Sequence, residues 1–106
     1  MRRIHIALAV DDLESTVRDY TKRLGAPPVA VVAGKYALWR TNEVNLSVNT
    51  GTETTARLRH LGFEDDALIE KSEEIDVNGV MWETFSPSWQ DEGIVRLYGP
   101  PDENRP

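Results

Sequence analysis

The sequence has no cysteine. Disulfides, thiolate nucleophiles and Cys-based zinc sites are therefore excluded. It has only two histidines, so any imidazole chemistry falls on His5 and His60. No apolar run approaches the roughly 20 residues that a membrane span requires. The start does not read as a secretory signal peptide, and the expected compartment is the cytoplasm. Positive charge is also short: 12 Lys and Arg face 18 Asp and Glu, for a formal net charge of -6. That balance argues against nonspecific binding to nucleic acid or to an anionic membrane. A small soluble ligand or a protein partner remains. The 106 residues suffice for one domain with its own core and not for two.

What is present begins with a strongly patterned stretch, Arg2 to Val10, reading RRIHIALAV. Ile4, Ile6, Leu8 and Val10 alternate with His5, Ala7 and Ala9, which is the period of a strand. One face is bulky and apolar. The other is small apart from His5 and can line a cavity. Asp11-Asp12 then offers a helix cap, and Asp11 with Glu14 has capping-box spacing. Leu13, Val17, Tyr20 and Leu24 recur at helical spacing until Gly25 stops the run. After Pro27-Pro28, strands are predicted over 29–33, 36–40 and 43–49, the last with Asn45 on its polar face. Residues 2–49 thus read β-α-β-β-β.

Residues 50–55 read as a polar linker. Arg57 to Phe63 repeats the first strand's arrangement, with His60 on the face that lacks bulky residues, and Asp65-Asp66 echoes Asp11-Asp12. No long amphipathic helix follows. Asn78-Gly79 is a hairpin signal joining a strand over 68–75 to one over 80–85, with a two-turn helix over 66–74 as the rival reading. Ser86-Pro87 opens a helix over 87–98, which Gly99-Pro100-Pro101 ends; a short strand over 94–98 is its rival. Residues 101–106 read as a loose end.

The segments IHIALAVDDLESTVRDYTKRLG, VNLSVN, RHLGFEDD and DVNGVMWETF resemble the vicinal oxygen chelate superfamily, which includes glyoxalase I, bleomycin-resistance proteins and extradiol dioxygenases. The resemblance covers the first 85 residues with gaps. It implies an α+β fold, a curled mixed β-sheet built from βαβββ-type modules: a first module over 1–49, a shortened second one over 56–85 and a tail over 86–106. Within this single domain, the tail helix, with Trp89, Ile94 and Leu97, is expected to cover the sheet face that the second module's missing helix leaves bare. Carried over by position, the resemblance implies metal ligands at His5, His60 and Glu83. Asn45 stands where some members carry a fourth ligand, a glutamate, and is expected near substrate together with Trp39 and Tyr36.

The strand pattern supports convergence independently. Met81, Glu83 and Phe85 share one face, so an inward Glu83 meets both imidazoles. Two histidines and one carboxylate leave open positions on an ion and favour iron or manganese over zinc. Glu83 is also the candidate catalytic base. The expectation is a divalent-metal-dependent enzyme, dioxygenase-, lyase- or isomerase-like, acting on a small oxygen-bearing substrate, and a homodimer as members commonly are. A metal-free binding or sequestration protein of the bleomycin-resistance type, or a purely structural dimerising module, would fit the same strands.

Overall fold

A computed structural model describes residues 2–51 and 57–102. Most of the predicted linker and the last four residues of the loose end lie outside the described residues. The elements are β1 (Arg2–Ala9), α1 (Leu13–Leu24), β2 (Ala30–Val32), β3 (Tyr36–Arg40), β4 (Val44–Asn49), β5 (Arg57–Asp65), β6 (Ser72–Ile75), β7 (Met81–Phe85) and α2 (Pro87–Tyr98). The fold is α+β. One mixed seven-stranded sheet runs in the order β2-β3-β4-β1-β5-β7-β6. β1 lies at its centre, parallel to β4 and antiparallel to β5.

The two faces of β1 divide as the alternation requires. Leu8 and Val10 join Leu13, Ala37, Trp39 and Val48 in a core beneath α1. The helix is capped at Asp12, whose Oδ1 accepts from the Ser15 N–H at 3.3 Å, and it closes on Gly25 at φ 70°. The cap thus falls one residue after the expected Asp11, which places Ser15 rather than Glu14 at the third helical position and leaves no capping box.

On the opposite face, Ala30, Val32, Tyr36 and Leu38 pack against Ile94 of α2. Ser86 caps this helix by accepting from the Trp89 N–H at 3.2 Å, with Pro87 at its first turn. The helix forms where the sequence predicted it, but it does not cover the second half's bare face. It lies on the histidine-bearing face, and Leu97 is 68% exposed. The reason is the polarity of its inner side. Gln90 exchanges two amide hydrogen bonds with Asn45 of β4, at 2.7 and 3.1 Å. Tyr98 stacks on Tyr36 with ring centroids 4.7 Å apart. Those partners exist only on the face of β3 and β4 that α1 does not occupy.

The strand predicted over 68–75 is limited to Ser72–Ile75. Asp65 accepts from the backbone N–H groups of Ala67, through its side chain, and Leu68, through its carbonyl. These bonds turn the chain before it can extend. The Asn78-Gly79 hairpin forms as predicted, with Gly79 at φ 82°.

Candidate metal centre

Register across the sheet assembles the site. Asn45 on β4 stands opposite His5 on β1, His5 opposite Gly62 on β5, and Gly62 opposite Glu83 on β7. Residues opposite one another project to the same face, so this row puts Asn45, His5 and Glu83 on one side. His60 joins them from the next row, opposite Ala7. Gly62 makes the row possible. A Cβ there would lie 1.7 Å from the Glu83 carbonyl oxygen.

The His5, His60 and Glu83 side chains converge. The two Nε2 atoms are 3.0 Å apart, and His60 Nε2 is 3.6 Å from Glu83 Oε1. One donor atom from each residue falls within 4.8 Å of the others, so the three can hold a metal ion. Ligand atoms at about 2.1 Å from an ion and 90° apart are separated by about 3.0 Å. The histidine pair already has that spacing.

The protonation of His5 is set by its surroundings. Its Nδ1 lies 2.8 Å from Asn45 Oδ1 and 3.2 Å from the Asn45 carbonyl oxygen, both acceptors. The Asn45 amide cannot be turned round, because its Nδ2 donates to the Glu64 carboxylate at 2.9 Å. Nδ1 therefore carries the proton, and the Nε2 lone pair faces His60. Such a hydrogen bond behind a ligating imidazole fixes both ring orientation and tautomer. Phe85 meets the His5 ring edge-on at 4.8 Å.

Burial acts on both imidazoles. It lowers the pKa of His5, and that of His60 falls to about 4, through burial first and then the proximity of His5. Both rings are neutral at pH 7, the form that binds metal. Burial raises the pKa of Glu83, with Lys71 opposing the shift. Lys71 Nζ lies 3.4 Å from Glu83 Oε2 and 2.9 Å from Glu73 Oε2.

Behind the site lies a buried polar cluster absent from the sequence-based expectation. Glu64 is fully buried and pairs with Arg3 and with Arg40 Nε, the latter at 2.6 Å. Arg40 also donates to Gln90 Oε1 at 2.8 Å. The signal for Glu64 was its parity: residues 60, 62 and 64 share the inward face, and a carboxylate there needs buried partners.

The three residues expected beside a substrate separate. Tyr36 lines the cavity over the site, and burial pushes its phenol up to about 12. Asn45 is fully buried behind His5, its amide engaged by His5, Glu64 and Gln90, and it does not reach the cavity. Trp39 is fully buried on the other face of the sheet, against Tyr20 of α1. Its position on β3 gives it the opposite parity to Tyr36 and Leu38, so no substrate on the histidine side can touch it.

The cavity itself has a volume of about 270 Å³ and opens between β5, β7 and α2 above the three ligand atoms. Among the described residues no helix is long and apolar enough to cross a membrane. Compared with known proteins, the chain matches no protein-family model and no curated protein.

Proposed function

We propose that the protein is a divalent-metal-dependent enzyme of the vicinal oxygen chelate type, acting on a small oxygen-bearing substrate by dioxygenase-, lyase- or isomerase-like chemistry. One observation carries the reading: two neutral imidazoles and a carboxylate converge at a cavity floor, with the His5 lone pair oriented by Asn45. The β-α-β-β-β order over residues 2–49 supports a first module of that type, and in this reading β5 to β7 are what remains of a second module shortened by a helix and a strand. A donor set of nitrogen and oxygen without sulfur favours Fe(II) or Mn(II) over Zn(II).

In this reading His5, His60 and Glu83 hold the ion on one side. When bound, the metal supplies Lewis acidity to oxygens of the substrate. The chain's own residues do the rest. His5 and His60 are kept neutral by burial. Tyr36 remains a protonated phenol that can donate to a substrate oxygen. Glu83, whose proton affinity is raised by burial, is the candidate base, and Lys71 beside it can balance its charge. Homodimerisation belongs to the same proposal. The half of the sheet face formed by Ile6, Leu61, Phe63 and Trp82 is only partly buried by the described residues and lies outside both helix-covered core clusters.

The Lys71 ammonium favours a second reading. It already neutralises Glu83, which suits a metal-free binding or sequestration protein. Anaerobic calorimetric titration with Fe(II), Mn(II) and Zn(II) decides between the two. The wild type is expected to bind one equivalent, and Glu83→Ala to bind at least about a hundredfold more weakly, since outer-shell changes alone cost 10–100-fold. If the wild type binds none of the three, or Glu83→Ala binds as tightly, the metal reading fails and the sequestration reading replaces it.

A further inference from the structure

The cavity carries charge that the three ligand residues do not account for. The whole chain is acidic, yet Arg59, Lys71 and Arg96 line this cavity against the single carboxylate of Glu83. Lys71 is engaged by Glu73 and Glu83. Arg59 and Arg96 make no ion pair with any of the described residues. Two guanidinium groups without an ion-pair partner among the described residues, at one concave site in an acidic chain, set this cavity apart from an ordinary solvated surface.

Both arginines are brought there by backbone features. Ala7 of β1 pairs with His60, but Leu8 pairs with Leu58, so Arg59 is an extra residue in β5. Strict alternation would send Arg59 to the face opposite His60. The bulge breaks the alternation, and both side chains line the cavity. The charge of Arg59 is felt at His5, His60 and Tyr36. Arg96 follows Gly93 by three residues on α2, on the same helix side. A Cβ at Gly93 would lie 3.5 Å from Arg96 Nη2, so the guanidinium lies back over the bare backbone, where Gly93 itself lines the cavity. Trp89 and Ile94 of the same helix supply apolar wall.

We propose that the cavity binds a small organic anion, its carboxylate or phosphonate head held by Arg59 and Arg96 and its apolar body against Trp89 and Ile94. The planar guanidinium fork matches either head group in a bidentate manner. The inference deepens the enzymatic reading by naming a substrate class, and it rests on that reading only for the ligand's role as substrate. Binding of the anion itself requires no metal.

The test uses the full chain stripped of metal and titrated at low ionic strength with benzoate, phenylphosphonate and the neutral benzamide. Tryptophan fluorescence and amide NMR shifts are the readouts. At least one anion is expected to bind saturably at 1:1, with shifts centred on Gly93 and His60, and benzamide to bind about tenfold more weakly. The tighter anion identifies the head group. Arg59→Gln and Arg96→Gln should each weaken it about tenfold, and added salt should weaken it further. Arg96 lies on a helix surface, so Arg96→Gln keeps the test sound even if Arg59→Gln disturbs the bulge. Equal affinity for benzamide and both anions, full affinity in Arg96→Gln, or shifts located outside the cavity would overturn the proposal. His60→Ala, measured in parallel, should keep the anion and lose the metal. Anion binding in a protein that takes no metal would fell only the metal reading, and metal binding without anion binding would fell only this one.

Discussion

His60 shows at the level of one residue how folding and site chemistry are coupled. In the folded protein its pKa falls to about 4, against about 6.5 in an unfolded chain. The folded state thus binds fewer protons than the unfolded one between those values. Stability is fully present above pH 6.5 and is lost as pH falls toward 4. With a shift of this size and a partly exposed ring, the loss is on the order of 2 kcal/mol. Most of it should show between pH 7.5 and 5. Urea unfolding of metal-free protein at those two pH values checks this. His60→Gln should reduce the difference, with the lowered pKa of His5 leaving its own share, and an equal difference in the variant would refute the assignment. The same protonation competes with a metal, so affinity for the ion should fall as pH approaches about 4, where His60 titrates in the folded protein, and not near the ordinary imidazole value. At this scale the sequence was informative about identity more than environment. His5 and His60 were legible because each alternates with bulky neighbours on its strand, whereas Glu83 was named through the family resemblance. The roles of Glu64 and Gln90 were not, because a buried carboxylate and a helix-borne amide show their function only through partners 19 and 45 positions from Asn45.

At the level of elements, the close approach of β5 and β7 rests on Gly62. With a Cβ placed 1.7 Å from the Glu83 carbonyl oxygen, Gly62→Ala forces the two strands apart. It should cost about 3 kcal/mol or more, toward the upper end for overpacked sites. Because Glu83 rides on β7, the same variant should weaken the metal site in parallel. Chemical denaturation together with metal titration measures both effects, and a variant of wild-type stability would show that the strands have room to give. α2 is the other decisive element. Its limits, Ser86-Pro87 and Gly99, were plain in the sequence because capping is local chemistry. Its resting place was not. An amphipathic helix advertises that it has an inner face, while the surface that accepts this face depends on Tyr36, Leu38 and Asn45 having been brought side by side. The predicted strand over 68–75 erred for a related reason. Asp65 turns the chain through short-range hydrogen bonds that a reading of apolar alternation does not register.

At the scale of the whole molecule, coverage of the sheet is uneven. α1 shields one face over β1, β3 and β4, and α2 shields the other. Beyond them, Phe63 and Trp82 lie side by side, 5.9 Å between ring centroids, with the Arg2 guanidinium 3.9 Å above Phe63. In the proposed homodimer this strip meets its counterpart across a two-fold axis. Sedimentation equilibrium should return twice the chain mass, and Trp82→Ala should weaken association at least about tenfold, as loss of a central aromatic does in other interfaces. A wild type that sediments as a monomer would count against the dimer while leaving the metal centre untouched.

The sequence by itself determined the periodic elements, their caps and turns, and the face on which each histidine lies. Those depend on neighbours within a few residues, where alternation, helical spacing and capping act. The tertiary structure alone decided what stands next to what. It placed Asn45 behind His5 as an orienting partner instead of beside a substrate, sent Trp39 to the opposite core, and seated the tail helix over the histidines. It also inserted a bulge that turns Arg59 toward the cavity. The physical reason is that strand register and bulges are fixed by packing and hydrogen bonding across the sheet. Shifting β5 by one residue at Arg59 leaves its composition unchanged, yet it alters which charges face the cavity.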